Sequence, residues 1–562
     1  MAQITAGAAL VARLGRLGVD CIFANSGTDF PPIIEGLAEA AAKGMALPRA
    51  VTVPHETAAV AMAHGYTLAT GRAQAVMVHT NVGLANAVIG TINARADNIP
   101  MLLFSGRTPT TEAGRFGART VPIGWGQEMS DQHALVREPC KWNYELRFPE
   151  QVQDMTDRAH GIAHSVPRGP VYLSLPREVL CETVDLPEVP AQMAPSSPMA
   201  HPGDIAEAAR LIAGAQFPVI FAQRGAGSSE AFEALSATVD RWAIPVCQYW
   251  SLQLALASDH PMATGPDPAP LLAQADVVVV LEGLAPWMPD AHAPRADSTV
   301  IQIGQDPLFA QTPVRNFRSD LSLAGDLGCN VVALCAALDR LDPGDRSARR
   351  ARVAATSAAR WDAVDNQIAA DGRGPALTKR WVSDRLARLS GDHRVTIFGE
   401  LGAQLPAMRL SDPQAWFESP HSGGLGFGLP AAMGFHMARP DRLTIATVGD
   451  GSYIFANPLA CLQVAKAQGL SLLVVVLNNS EWGAVRASVS GLYPEGYAVK
   501  ANAVPLTDLS PSPDFAVAAQ ACGALGLSAD SPETFETALA RAVAHVTAGQ
   551  GVAVIDATVL RD

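Results

Sequence analysis

At 562 residues the chain is too long for one hydrophobic core; at about 100–200 residues per domain it divides into two to four. Hydrophobic residues make up 48% and charged ones 17%, which supports extensive burial and excludes wholesale disorder. Lys and Arg number 41 against 54 Asp and Glu, a net charge of −13, which argues against nucleic acid or an anionic membrane as the main partner and leaves a small anionic substrate open.

The first stretch, MAQITAGAALVARLGRLGVD, spaces its apolar residues like an amphipathic helix and lacks the basic start and apolar run of a signal peptide. The longest apolar runs, of which LSLLVVVL is typical, fall short of the roughly 18 residues of a membrane span. Eight scattered cysteines (Cys21, Cys140, Cys181, Cys247, Cys329, Cys335, Cys461, Cys522) form no Cys-x-x-Cys pair. Reduced thiols in a cytoplasmic protein are therefore expected, not a disulfide framework or a thiolate metal site.

Residues 1–184 contain the β-rich runs CIFANSGT, AQAVMVHTN, MLLFSG and PVYLSLP, and a Pro-rich linker is predicted over 185–204. Residues 205–340 contain PVIFAQRG, ADVVVVLEG and STVIQIGQD; a second linker with an irregular helix is predicted over 341–378. Residues 379–562 contain VTIFGELG, LTIATVGDG, LSLLVVVLNN and GVAVIDATV. Short apolar runs separated by helical patterns predict parallel strands buried on both faces. The expected architecture is α/β, with three doubly wound parallel-sheet domains and functional residues at the carboxyl ends of strands. QRGAGSSEA (223–231) reads as a plain strand–helix turn, because a lone Gly-x-Gly is weak evidence for a nucleotide.

In the third segment, Gly449-Asp450-Gly451 and Asn478-Asn479 bracket one strand–helix–strand unit, with Pro458 near the start of its helix and Gly469 just past its end. A right-handed crossover brings both brackets to the same sheet edge. A carboxylate and an amide oxygen there are hard ligands suited to Mg²⁺ or Ca²⁺, too few to fill the shell without carbonyl, water or phosphate oxygens. The alternative is that these residues only make the strand–helix turns they favour.

Gly-Asp-Gly followed by Asn-Asn resembles the cofactor motif of thiamine diphosphate (ThDP) enzymes. PHETAAVAMAHGYTLATG (54–71) resembles the helix carrying that family's cofactor-activating glutamate, and SGGLGFGLPAAMG (422–434) the stretch lining the thiazolium ring. With its three-part plan, the chain looks like the decarboxylase and acetolactate synthase superfamily, most like benzoylformate decarboxylase. The resemblance implies pyrimidine-binding, middle and diphosphate-binding domains. It makes Asp450 and Asn479 side-chain ligands of Mg²⁺, with the Glu481 carbonyl as a third. It puts Gly451, Ser452, Gly402 and Ala403 at the diphosphate, Leu425 as the wedge that bends the cofactor, and the Gly423 carbonyl at the pyrimidine. Glu56, among Ala, Val and Met, matches the glutamate that shares a proton with the pyrimidine, across a subunit boundary; its alternative is a solvated residue at a helix start.

VHTNVGLAN resembles the benzoylformate decarboxylase block that places a catalytic histidine at His79, an imidazole able to trade protons; a structural histidine is the alternative. Thr28 stands where that relative grips the substrate carboxylate, and His421 is a candidate for the same pocket. The chain departs from the pattern at Pro286-Trp287, where a second histidine is expected and His292 is off register, and at Ser488, where the relative has an aromatic residue. Substrate preference is therefore expected to be read at Thr28, Trp287 and Ser488. The middle segment lacks the arginine-and-acid motif for FAD, so FAD is not expected. The implied activity is decarboxylation of a 2-oxo acid through a C2 carbanion and an enamine, with carboligase ability. Alternatives are an acetolactate-synthase-type transferase, or a ThDP lyase of 2-hydroxy ketones or 2-hydroxyacyl-CoA. The expected assembly is a homodimer or homotetramer with its active site between subunits.

Overall fold

Runs rich in Val, Ile, Leu and Ala keep both faces of a strand out of water, and three sheets of such strands frame the molecule. The computed structural model describes residues 3–185 and 190–561; residues 186–189 of the first predicted linker and the chain-end residues 1, 2 and 562 lie outside the described residues. From edge to edge the first sheet runs Arg49–Thr52, Cys21–Ala24, Gln74–Val78, Met101–Arg107, Pro170–Pro176, Asn143–Glu145. The second runs Ala263–Gly265, Val246–Cys247, Pro218–Ala222, Val277–Leu281, Thr299–Gly304, Leu321–Ala324. The third runs Trp416–Glu418, Val395–Glu400, Leu443–Gly449, Leu473–Asn478, Ala553–Thr558, Leu525–Ala529. All pairings within these sheets are parallel, and the order grows outward on both sides of an inner pair, except at one edge of the first and third sheets, where Asn143–Glu145 lies outside Pro170–Pro176 and Leu525–Ala529 outside Ala553–Thr558. Each sheet is therefore doubly wound, with a switch point where neighbouring connections leave in opposite directions.

The predicted second linker contains a helix of 25 residues, Ser347–Asp371, strapped to the middle sheet's domain by Arg349, which donates to the carbonyls of Gln216 (2.8 Å) and Trp242 (2.6 Å). The N- and C-terminal sheets share one apolar core where helix Glu56–Thr70 crosses helix Gly428–Ala438. Gly65 and Gly434 make this crossing possible: a Cβ on either would overlap a backbone carbonyl of the other helix.

The middle sheet's switch point is closed by its own chain. Arg224 and Glu282, which follow its two inner strands, are buried and 3.9 Å apart, and Asn98 of the N-terminal domain donates to Glu282 (2.8 Å). All eight cysteines are free, and among the described residues no helix is long and apolar enough to cross a membrane.

A buried ion pair ties the first helix, Ala6–Arg16, to helix Val152–His164: Arg13 grips both oxygens of Asp157 at 2.6 Å, with each side chain 2% exposed. Asp157→Asn leaves that guanidinium facing a neutral group and is expected to cost about 3–5 kcal/mol, read as a lowered midpoint for the first urea transition.

Candidate active site

Register decides the first half of the site. Gly449 pairs with Leu477, so Asp450 and Asn478-Asn479 leave the third sheet together at its carboxyl edge. Asp450 opens the short helix Asp450–Phe455 and is 2% exposed. Burial raises its pKa, with the amides of Gly451, Asp450 itself and Ser480 opposing. Ser480 takes a positive φ of 54°, and the next amide, that of Glu481, donates to the Asn479 side-chain oxygen (3.2 Å). Buried polar atoms almost always find partners. Here Asp450 Oδ2, Ser452 Oγ and both Glu481 carboxylate oxygens are buried without a hydrogen bond. That is the fit expected of a site for a cation and a phosphorylated ligand.

Close backbone approach surrounds these orphan atoms. A Cβ on Gly451 would run into the Trp482 ring, and one on Gly402 into the Thr447 carbonyl; the Ala403 amide donates to Thr447 Oγ1 (3.3 Å). The loop carrying Gly423 and Leu425 turns through positive φ at Gly423 (69°) and Gly426 (85°), and a Cβ on Gly426 would sit 2.6 Å from the Phe455 carbonyl. Glu400, fully buried at the end of its strand, accepts from the amides of Gly426 (2.7 Å), Phe427 (3.0 Å) and Gly428 (2.7 Å). It anchors this loop and the start of helix Gly428–Ala438, although burial lifts its pKa to about 7. Among the described residues no group of three or more His, Cys, Asp or Glu is placed to hold a metal. One carboxylate, one amide and one carbonyl suit a cation whose shell a phosphate completes.

The second half forms at the switch point of the first sheet, where Ala24 and Val78 end adjacent strands. Glu56 starts its helix, is buried, and accepts from Asn86 Nδ2 (3.1 Å). His79 follows Val78; its Nδ1 is hydrogen-bonded to Asp29 Oδ1 and its Nε2 lies 3.0 Å from the Gln127 amide nitrogen. Thr80 is held at φ 38° with its amide 3.3 Å from Asp29 Oδ2, strain of the kind stored at functional positions. The Asp29 bond raises the His79 pKa most, burial opposes it, and the charges of Asp29 and Glu56 add to the rise.

The folded state thus favours the imidazolium. That stabilisation is complete below about pH 6.5, the ordinary histidine value, and is lost as pH rises through the raised one. Asp29→Asn is expected to lower the pH at which the His79 ring titrates, followed by its NMR signals, and to reduce stability at acidic pH more than at alkaline pH.

The other expected residues divide, with Thr28 at the cleft beside His79 and the rest away from it. Thr28 is exposed, and its carbonyl accepts from Arg177 (3.3 Å). His421 Nε2 is 2.9 Å from the Trp250 carbonyl of the middle domain, and burial with the nearby Arg224 charge lowers its pKa to about 4. Trp287 corrects the sequence reading: it is 3% exposed and packed edge-on between Phe221 and Phe317, so it belongs to the middle-domain core. Ser488 is exposed on helix Gly483–Leu492. Asp29, Gln127 and Glu400 are the residues sequence reasoning missed. Only Asp29, an acid in the turn beside Thr28, left a signal there.

Comparison with protein families matches all three domains. The thiamine pyrophosphate enzyme N-terminal TPP binding domain covers residues 4–135, the central domain 205–335 and the C-terminal TPP binding domain 399–557. The chain belongs to the thiamine pyrophosphate enzymes. It is similar to a sulfoacetaldehyde acetyltransferase of Rhodobacter capsulatus, 27% identical over 98% of this chain and 93% of that protein. It is also similar to an acetolactate synthase of Mycobacterium bovis, 27% identical over 94% of this chain and 84% of that one. A 4-hydroxybenzoylformate decarboxylase of Rhodococcus jostii shares its fold, with a TM-score of 0.79, 22% identity and all of both chains covered. This member of the family is an enzyme, a ThDP-dependent lyase or an acyl transferase and carboligase.

Proposed function

We propose that the protein is a ThDP- and Mg²⁺-dependent decarboxylase of 2-oxo acids, able to pass the acyl unit to a second carbonyl. The observation that carries this reading is the pair of buried polar atoms without a hydrogen bond, Asp450 Oδ2 and Ser452 Oγ, beside Asn479. Asp450, Asn479 and the Glu481 carbonyl would hold Mg²⁺; Gly451, Ser452, Gly402 and Ala403 would border the diphosphate, and Leu425 and Gly423 the rings. Bound ThDP supplies the nucleophilic carbon and the electron sink for loss of CO₂. Glu56 places its buried carboxyl where a proton can be exchanged, and His79, poised by Asp29, gives and takes one at Nε2. Thr28 offers a hydroxyl to the substrate carboxylate, and His421 borders the site from the middle-domain side. Ile454, Phe455 and Leu459 expose about half of their side chains beside Asp450 (47%, 47% and 60%), which supports a second copy docking there to complete the site as a homodimer or homotetramer.

A second reading, an acetolactate-synthase-type transferase, is favoured by the transferase and synthase names of the relatives. Product analysis after feeding pyruvate, branched 2-oxo acids and benzoylformate to the ThDP- and Mg²⁺-loaded enzyme separates the two. Aldehyde release supports the decarboxylase, and acetolactate as the main product of pyruvate the transferase.

A further inference from the structure

We propose that the cleft beside His79 binds a second anionic group, so that the substrate is a doubly charged acid: a 2-oxo carboxylate whose side chain ends in another oxyanion. This rests on the reading of the protein as an enzyme of 2-oxo acids and names the substrate class of that same site.

The cleft lies between the switch point of the first sheet and the segment 108–131 laid across it, and is narrow and open to solvent. Four threonines, Thr28, Thr80, Thr108 and Thr120, line it together with Arg119 and Arg177. Its one acidic residue, Asp29, is engaged by His79 and the Thr80 amide. Arg119 shares the Glu128 carboxylate with Arg107, which also pairs with Glu145 (3.3 Å), so these two cations are already met by two acids. Arg177 donates to the carbonyls of Gly117 (2.7 Å), Ala118 and Thr28 (3.3 Å), and among the described residues no carboxylate lies within ion-pair distance of it.

A guanidinium held only by carbonyl dipoles keeps its attraction for an anion, and a fork fixed at three points is already ordered for binding one. An alkyl side chain in this cleft would strip water from the hydroxyls and from Arg177 and return nothing to them. A carboxylate or sulfonate satisfies both. Gln127, which contacts His79 from the same segment, joins this cleft to the imidazole, so a ligand there is continuous with the reacting end.

Calorimetric titration of the full chain compares succinate with butyrate, four-carbon acids differing by one carboxylate, and adds 3-sulfopropionate as the sulfonate counterpart. Succinate or 3-sulfopropionate is expected to bind at least about tenfold more tightly than butyrate, with their order naming the oxyanion. Thr120→Val, which removes only a hydroxyl, and Arg177→Met should each erase most of that preference, and Arg177→Lys should restore part of it. Equal affinity for succinate, 3-sulfopropionate and butyrate, or a preference untouched in both Thr120→Val and a folded Arg177→Met, would overturn the proposal. The dianion binding while no 2-oxo acid releases CO₂ would instead remove the enzymatic reading and leave the anion cleft standing.

Discussion

Glu56→Gln is expected to lower turnover by about 10²–10⁴-fold, the range for loss of a positioned proton-transfer group. The side chain is buried at the first position of its helix and takes one hydrogen bond, from Asn86, which a glutamine oxygen can still accept. Folding and ThDP affinity should therefore survive while kcat falls, an outcome that separates a chemical role from a structural one. Thermal midpoint, ThDP titration and steady-state rates on the same preparation give the three readings. Unchanged kcat would remove Glu56 from the mechanism.

Gly434→Ala should give a large loss of stability. Its Cβ would overlap the carbonyl of Met62, and the reciprocal Gly65 position would overlap that of Ala431, so the obstacle is backbone on both sides and no rotamer relieves it. Overpacking ordinarily costs roughly 1–3 kcal/mol, and a backbone clash at a helix crossing is expected at or above the upper end, near 3 kcal/mol or more. The clashing helix Gly428–Ala438 also begins at the loop anchored by Glu400. ThDP affinity should therefore fall together with the urea midpoint. Gly214→Ala is the control: a Cβ there meets nothing within 4 Å, and stability should stay within about 0.5 kcal/mol of the parent or rise.

The central strands of all three sheets are legible in the sequence, because a strand buried on both faces must be apolar along its whole length. VVVVL (Val277–Leu281) and LVVVLN (Leu473–Asn478) are examples. The edges are not legible. Arg49–Thr52 has three of its four residues exposed, and Ala263–Gly265, Asn143–Glu145 and Trp416–Glu418 have three residues each. Such segments carry too little periodicity to stand out from loops and form because an inner strand offers them a free edge.

The site divides along the same line. Asp450 and Asn479 follow strands that the sequence announces, so the handedness of the crossover places them. Asp29, Gln127 and Glu400 matter through contacts between segments that no spacing encodes: Gln127 comes from a long irregular segment, and Glu400 reaches three amides of a loop more than 20 residues away. Trp287 sits in a Pro-rich stretch that reads as a loop, yet its ring fills the gap between Phe221 and Phe317. Burial of that kind is a property of packing and becomes visible only in three dimensions.

The most direct test of the account is CO₂ release from a panel of 2-oxo acids by protein stripped of ThDP and divalent metal, measured as each is added back. The account predicts release only when both are present, and none under the same conditions from Asp450→Ala, which removes the proposed metal ligand. Release that persists after stripping, or that Asp450→Ala leaves intact, would contradict it.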